Sequence, residues 1–109
     1  MANLSQQQSN AVRQISDCLR LCLLCAAECL DQRKPELNNC IKLCQTCVAS
    51  CTLCLQCIAN GLAQTQGACR VCADICDACA VECDKDGGIM KQCANACRAC
   101  ASACRQLAA

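Results

Sequence analysis

Cysteine and small apolar residues recur along this chain at intervals of three and four residues, in four stretches divided by polar, proline and glycine breaks. That spacing returns a side chain to one face of an α-helix, whose period is 3.6 residues. The second stretch, CIKLCQTCVASCTLCLQC, shows it most plainly, with Cys40, Cys44, Cys47, Cys51, Cys54 and Cys57 in line. The first carries Cys18, Cys22, Cys25 and Cys29, the third Cys69, Cys72, Cys76, Cys79 and Cys83, and the fourth Cys93, Cys97, Cys100 and Cys104. Three breaks separate them. Asp31-Gln32-Arg33-Lys34-Pro35 places a proline where a new helix can begin, Asn60-Gly61 suits a left-handed cap, and Asp84-Lys85-Asp86-Gly87-Gly88 forms the last.

Four stripes joined by short loops predict an all-α fold: an antiparallel up-down-up-down four-helix bundle with a Cys-lined core. Residues 1–109 read as a single metal-binding domain, with helices over about 5–31, 36–60, 65–84 and 88–107. Ala, Leu, Gln, Arg and Lys at the intervening positions favour helix, and no strand-like alternation competes. The larger aliphatics sit mostly off the stripe. Leu23, Leu24 and Leu53 fall outward and are expected at a subunit interface.

Composition removes many functions. The 109 residues include 19 Cys but no His and no aromatic residue, and the net charge is +1. Base stacking, imidazole acid–base chemistry and His-containing metal sites are therefore excluded, and no basic stripe points to nucleic acid. There is no general base, oxyanion constellation or cofactor motif, so no enzyme is expected. The opening residues MANLSQQQSNAVRQISD contain no continuous apolar segment, and the next apolar region, Leu19 to Leu30, is broken by Arg20 and Glu28. Neither a secretory signal nor a membrane span is expected, which points to the cytoplasm. There, many cysteines indicate metal or redox chemistry more than structural disulfides.

The repeated unit is CxxxC: Cys18/Cys22, Cys25/Cys29, Cys40/Cys44, Cys47/Cys51, Cys72/Cys76, Cys79/Cys83, Cys93/Cys97 and Cys100/Cys104. Such a pair separates its Cβ atoms by about 5–6 Å, whereas a disulfide needs about 3.5–4.5 Å. A metal fits the wider gap, and soft thiolates select Cu(I), Zn or Fe–S clusters. Cu(I) accepts two or three thiolates, so a single pair can start a site. One Cu⁺ per thiolate also leaves a buried core near neutral, whereas Zn²⁺ in tetrathiolate sites leaves negative charge inside. Cys51-x₂-Cys54-x₂-Cys57 begins a ferredoxin run, but the position of its fourth ligand is Gly61. Metallothionein-like Zn or Cd binding, a thiol redox buffer or sensor, and an Fe–S electron carrier remain alternatives.

In its size and its CxxxC pairs on four inward faces, the chain resembles the bacterial copper storage proteins. The likeness runs from about Asn10 onward. It looks closest to the cytosolic branch over Cys72-Ala-Asp-Ile-Cys76 through Cys97-Arg-Ala-Cys100-x₃-Cys104-Arg. The resemblance implies storage of many Cu(I) ions per chain, with all 19 cysteines as ligands, a homotetramer, and a copper chaperone as donor. The chain departs from the family in lacking a His near the mouth of the bundle. Topology places that mouth at the end bearing Cys29, Cys40, Cys83 and Cys93, where Met90 adds a soft thioether ligand. Asp84, Lys85 and Asp86 are expected to form a solvated turn there. Leu4, Ala11, Ile15, Ile58, Leu62 and Leu107 are expected to plug the other end, where Cys54 and Cys57 would hold copper with Cys18, Cys69 and Cys104.

Overall fold

In the computed structural model, which describes residues 4–85 and 87–109, the chain forms four α-helices: α1 Gln6–Gln32, α2 Asn38–Asn60, α3 Thr65–Cys83 and α4 Ile89–Ala108. Their ends follow local chemistry. Ser5 and Gln8 close a capping box, the Ser5 Oγ accepting from the Gln8 amide at 3.1 Å and the Gln8 Oε1 accepting from the Ser5 amide at 3.0 Å. Arg33 ends α1 in the left-handed region at φ 55°. Pro35 starts a 3-10 turn, Pro35–Leu37, before the α-helix proper begins at Asn38. Gly61 ends α2 at φ 62°, its amide donating to the Cys57 and Ile58 carbonyls, a conformation that costs a side-chain-bearing residue about 1–2 kcal/mol.

Each helix packs on its sequence neighbours, and α1 against α4 closes the ring. Thiol contacts give the directions. Cys18 of α1 meets Cys47 of α2 at 3.6 Å while Cys25, farther along α1, meets Cys40 at 4.0 Å, so α1 and α2 run antiparallel. Cys18 likewise meets Cys97 and Cys22 meets Cys93, which makes α4 antiparallel to α1. Cys76 and Cys83 of α3 lie at 3.9 Å from Cys18 and Cys25 respectively, so α1 and α3 are parallel. The result is an up-down-up-down bundle with extents of 43 × 20 × 17 Å.

The segment Pro35–Asn60 is long and apolar enough, by length and composition, to cross a membrane. Much of that apolarity is thiol: all six of its cysteines are buried in the bundle. Leu23, Leu24 and Leu53 are about half exposed, at 52%, 49% and 50%, and so face outward. The expected plug is smaller than the stripe suggests. Ala11, Ile15 and Ile58 are buried and Leu107 packs against the core, but Leu4 and Leu62 are exposed, because Leu4 precedes α1 and Leu62 follows the cap of α2. Asp84 pairs with Lys91 at 2.6 Å and with Arg98 at 2.9 Å, and Lys85 pairs with Glu82 at 2.6 Å. Asp84 thus ties the third connection to α4 and Lys85 ties it to α3; Asp86 lies outside the described residues.

Candidate metal centre

Steps of three and four residues wind each helix so that its thiols stay on the axial side, and all nineteen are buried as free cysteines, none more than 2% exposed. They form a column. From the end carrying the first and third connections, the Sγ atoms of Cys25, Cys40, Cys44 and Cys83 form one group in which every pair lies within 4.8 Å. Cys22, Cys44, Cys79 and Cys93 form the next, then Cys18, Cys22, Cys47 and Cys97, then Cys18, Cys51, Cys76 and Cys100. Cys54, Cys69 and Cys104 form a three-thiol group at the far end. Adjacent four-thiol groups share Cys44, Cys22 and Cys18 in turn, so the donor atoms are continuous along the axis.

Contacts across the bundle are at least as tight as those along a helix. Cys18/Cys22, Cys47/Cys51, Cys72/Cys76 and Cys79/Cys83 have sulfurs 3.8–4.0 Å apart. Between helices, Cys40 and Cys83 stand at 3.1 Å, Cys47 and Cys76 at 3.4 Å, and Cys44 and Cys79 at 3.6 Å. Two sulfurs bonded at roughly 2.3 Å to one metal lie up to about 4.6 Å apart, so both kinds of pair suit a bridging ion. The CxxxC repeat is thus one half of the site and the facing helix the other.

Two residues fall elsewhere than the stripe predicts. Cys18 lies in the middle of the column, not with Cys54, Cys69 and Cys104. Cys57 is buried but set apart from the contiguous core that holds the other eighteen thiols. It lines a surface groove between α2 and α3 with Leu53, Ala68 and Val71. At about 100° per residue, seventeen residues carry Cys57 roughly 100° round the helix from Cys40, and two successive steps of three produce that drift.

Burial and mutual hydrogen bonds perturb the thiols along the whole column. Burial pushes Cys29 up to about 12 from an ordinary 9.0, helped by the neighbouring Cys25 and Cys40. Burial, with the charge of Cys104, pushes Cys69 up to about 11. Hydrogen bonds with Cys18 and Cys44 raise Cys22, and those with Cys104 and Cys72 raise Cys54. Cys97 and Cys47 go the other way, hydrogen bonds from Cys18 and Cys22 holding Cys97 down at about 7 and depressing Cys47 too. Entering metal replaces protons in such a core.

At the end of the first and third connections, a cavity of about 250 Å³ is lined by Glu36, Leu37, Cys40, Glu82, Lys85 and Met90. Met90 is 3% exposed, one helical turn before Cys93, and Cys93 lies 3.9 Å from Cys83. The residues expected at the mouth are therefore together. The lining by Glu36, Leu37 and Glu82 was not legible in the sequence, because a 3-10 turn and a helix end bring them to one rim. Ser50 was missed too: it is the one buried polar side chain among the described residues. A lone serine one residue before Cys51, off the thiol stripe, gives no sequence signal of this.

Comparison with known proteins places the geometry. Residues 4–109 match the profile of the Csp family, described as copper storage protein. The apo form of copper storage protein 3 from Bacillus subtilis superposes with a TM-score of 0.87 at 33% identity, covering 93% of this chain and 98% of that one. The structure described as Cu(I)-bound copper storage protein BsCsp3 gives 0.90 at 34% identity, covering 95% and 100%. A protein from Nitrosospira multiformis gives 0.87 at 32% identity, covering 94% and 95%. No match is found among curated proteins. With the profile match running from residue 4 to the last residue, and the thiol column built on the same four helices, this chain belongs to the copper storage protein family.

Proposed function

We propose that this chain stores and sequesters Cu(I), taking many ions into the bundle on inward-facing thiolates. The observation that carries this is the composition of the column's surroundings. Donor sulfurs are continuous along the axis, and no Lys or Arg is buried among them; Ser50 is the only buried polar side chain among the described residues. Charge on the deprotonated thiolates must then be balanced by the metal itself. A monovalent ion per thiolate achieves balance, whereas divalent ions in tetrathiolate sites leave uncompensated negative charge in an apolar interior. The Cu(I)-bound structure with which this chain superposes at 0.90 supports the same ion.

In this reading the ligands are the eighteen contiguous cysteines, with Met90 and Cys40 receiving copper at the mouth cavity. Ile15, Ala11 and Ile58 close the opposite end. The protein works in the cytoplasm as one domain and turns over no substrate. It assembles as a homotetramer through outward leucines such as Leu23, Leu24 and Leu53, and is loaded by a copper chaperone. Its half-exposed leucines support the assembly.

The test is an anaerobic Cu(I) titration of fully reduced protein against a chromophoric Cu(I) chelator. Uptake approaching or exceeding half the cysteine count is expected. Saturation at about four or five equivalents, as tetrathiolate coordination requires, would overturn the reading. Size-exclusion chromatography with light scattering checks the tetramer.

A further inference from the structure

Hydroxyl groups on α2 fall into two kinds. Thr46 and Thr52 are exposed, and each donates at 2.8 Å to the carbonyl four residues earlier, of Lys42 and Val48. Their bonds stay on their own helix. Ser50 is buried, and its Oγ reaches two acceptors: the Cys47 carbonyl at 3.1 Å and, across the α2–α3 interface, the Cys72 Sγ at 3.5 Å. A hydroxyl has one proton, so the two acceptors compete for it.

The winner depends on the state of Cys72. A neutral thiol is a weak acceptor, so in the metal-free protein the carbonyl, nearer and stronger, holds the proton. A thiolate bound to one metal ion keeps lone pairs and negative charge, and hydrogen bonds to charged acceptors are roughly twice as strong as neutral ones. A thiolate bridging two ions has less of either to offer. Cys72 also sits where such a choice matters: its sulfur lies 3.8 Å from Cys51 and 3.9 Å from Cys76, both members of the fourth four-thiol group.

We infer that Ser50 is a positioning residue for the stored metal: its hydroxyl turns from the Cys47 carbonyl to the Cys72 sulfur on loading and holds Cys72 as a terminal ligand. Groups outside a metal's ligands commonly orient those ligands in this way and tune their affinity. The proposal rests on Cu(I) storage in the column, and it differs from a packing role because it affects only the loaded state.

The test compares wild-type protein with Ser50→Ala and Ser50→Thr. Copper-loaded protein is challenged with graded Cu(I) chelator, and metal-free protein is melted by circular dichroism. Ser50→Ala is expected to hold about one copper equivalent roughly tenfold more weakly, equivalent to about 1.4 kcal/mol, with the metal-free melting temperature unchanged, because the hydroxyl there only adds a second donor to a helix carbonyl and alanine is the better helix former. Ser50→Thr, which keeps the hydroxyl, is expected to restore wild-type retention. Superimposable retention curves, failure of threonine to rescue, or a metal-free melting temperature lowered by Ser50→Ala would overturn the proposal. A structure of the copper-loaded wild type decides independently of any variant's folding: Ser50 Oγ within hydrogen-bond reach of a terminal Cys72 supports the role, and Cys72 bridging two ions with Oγ on the Cys47 carbonyl refutes it. Failure of wild-type protein itself to take up more than about five equivalents would instead indict the storage reading.

Discussion

Replacing Cys22 and Cys57 by alanine separates a sulfur inside the column from one beside it. Both thiols are buried, at 0% and 2% exposure, so the folding penalties are similar. Losing a buried group about the size of a methylene costs about 0.8 kcal/mol, and the void left behind brings the total to about 1–2 kcal/mol. For a domain of this length each kcal/mol lowers the melting temperature by roughly 4–8 °C, which leaves both variants folded at 20 °C. Copper capacity should separate them. Cys22 lies 4.0 Å from Cys18, 3.6 Å from Cys93 and 3.7 Å from Cys97, and belongs to two of the four-thiol groups. Its loss reduces both groups to three sulfurs, so Cys22→Ala should bind about one to two fewer Cu(I) ions, given soft-thiolate coordination. Cys57→Ala should bind as many as wild type. The assay is anaerobic Cu(I) titration with metal and thiol quantified on the same sample. Equal losses in the two variants, or a larger loss in Cys57→Ala, would refute the column as drawn.

Ile15 is fully buried at the closed end of a core otherwise made mostly of thiols and alanines, so Ile15→Ala should cost about 2–5 kcal/mol. Thermal melting of metal-free protein, before and after copper loading, measures it. Met90→Leu conserves volume and should change stability by less than about 1.5 kcal/mol. Because the thioether lines the mouth cavity, stopped-flow uptake should slow while final capacity stays unchanged. Alkali should unfold the metal-free bundle. Cys69 and Cys29 titrate at about 11 and about 12 when folded, against an ordinary 9.0, so above pH 9 the unfolded chain releases protons that the folded one retains. Stability from these groups is present below pH 9 and lost as pH rises through 11 and 12; circular dichroism across that range, flat if the reasoning is wrong, follows it.

Much of this was open to inspection in the linear chain, because a helix converts spacing into direction. Steps of three and four put the thiols of each stretch on one stripe, and short polar connections leave antiparallel packing as the way to bury four such stripes. Cys57 was marked in the same way, by two successive steps of three that carry it off the stripe. The ends of the plug were less legible. Periodicity continues through Leu4 and Leu62 as though the helices did, whereas the capping box at Ser5 and the left-handed Gly61 stop them one residue away, and both leucines are exposed.

The sequence by itself determined which side of each helix carries sulfur, and so pointed to a soft metal as the cargo. Only the tertiary structure decided which sulfurs meet. Periodicity orients a side chain about its own helix axis but says nothing of the axial offset between helices. That offset puts Cys18 in mid-column beside Cys47, Cys76 and Cys97 and not at the closed end. The same offset brings Cys40 to Cys83 and sets the Ser50 hydroxyl against Cys72. It depends on how four surfaces of thiol and alanine interlock at one packing density, a property of the assembled bundle that no single helix contains.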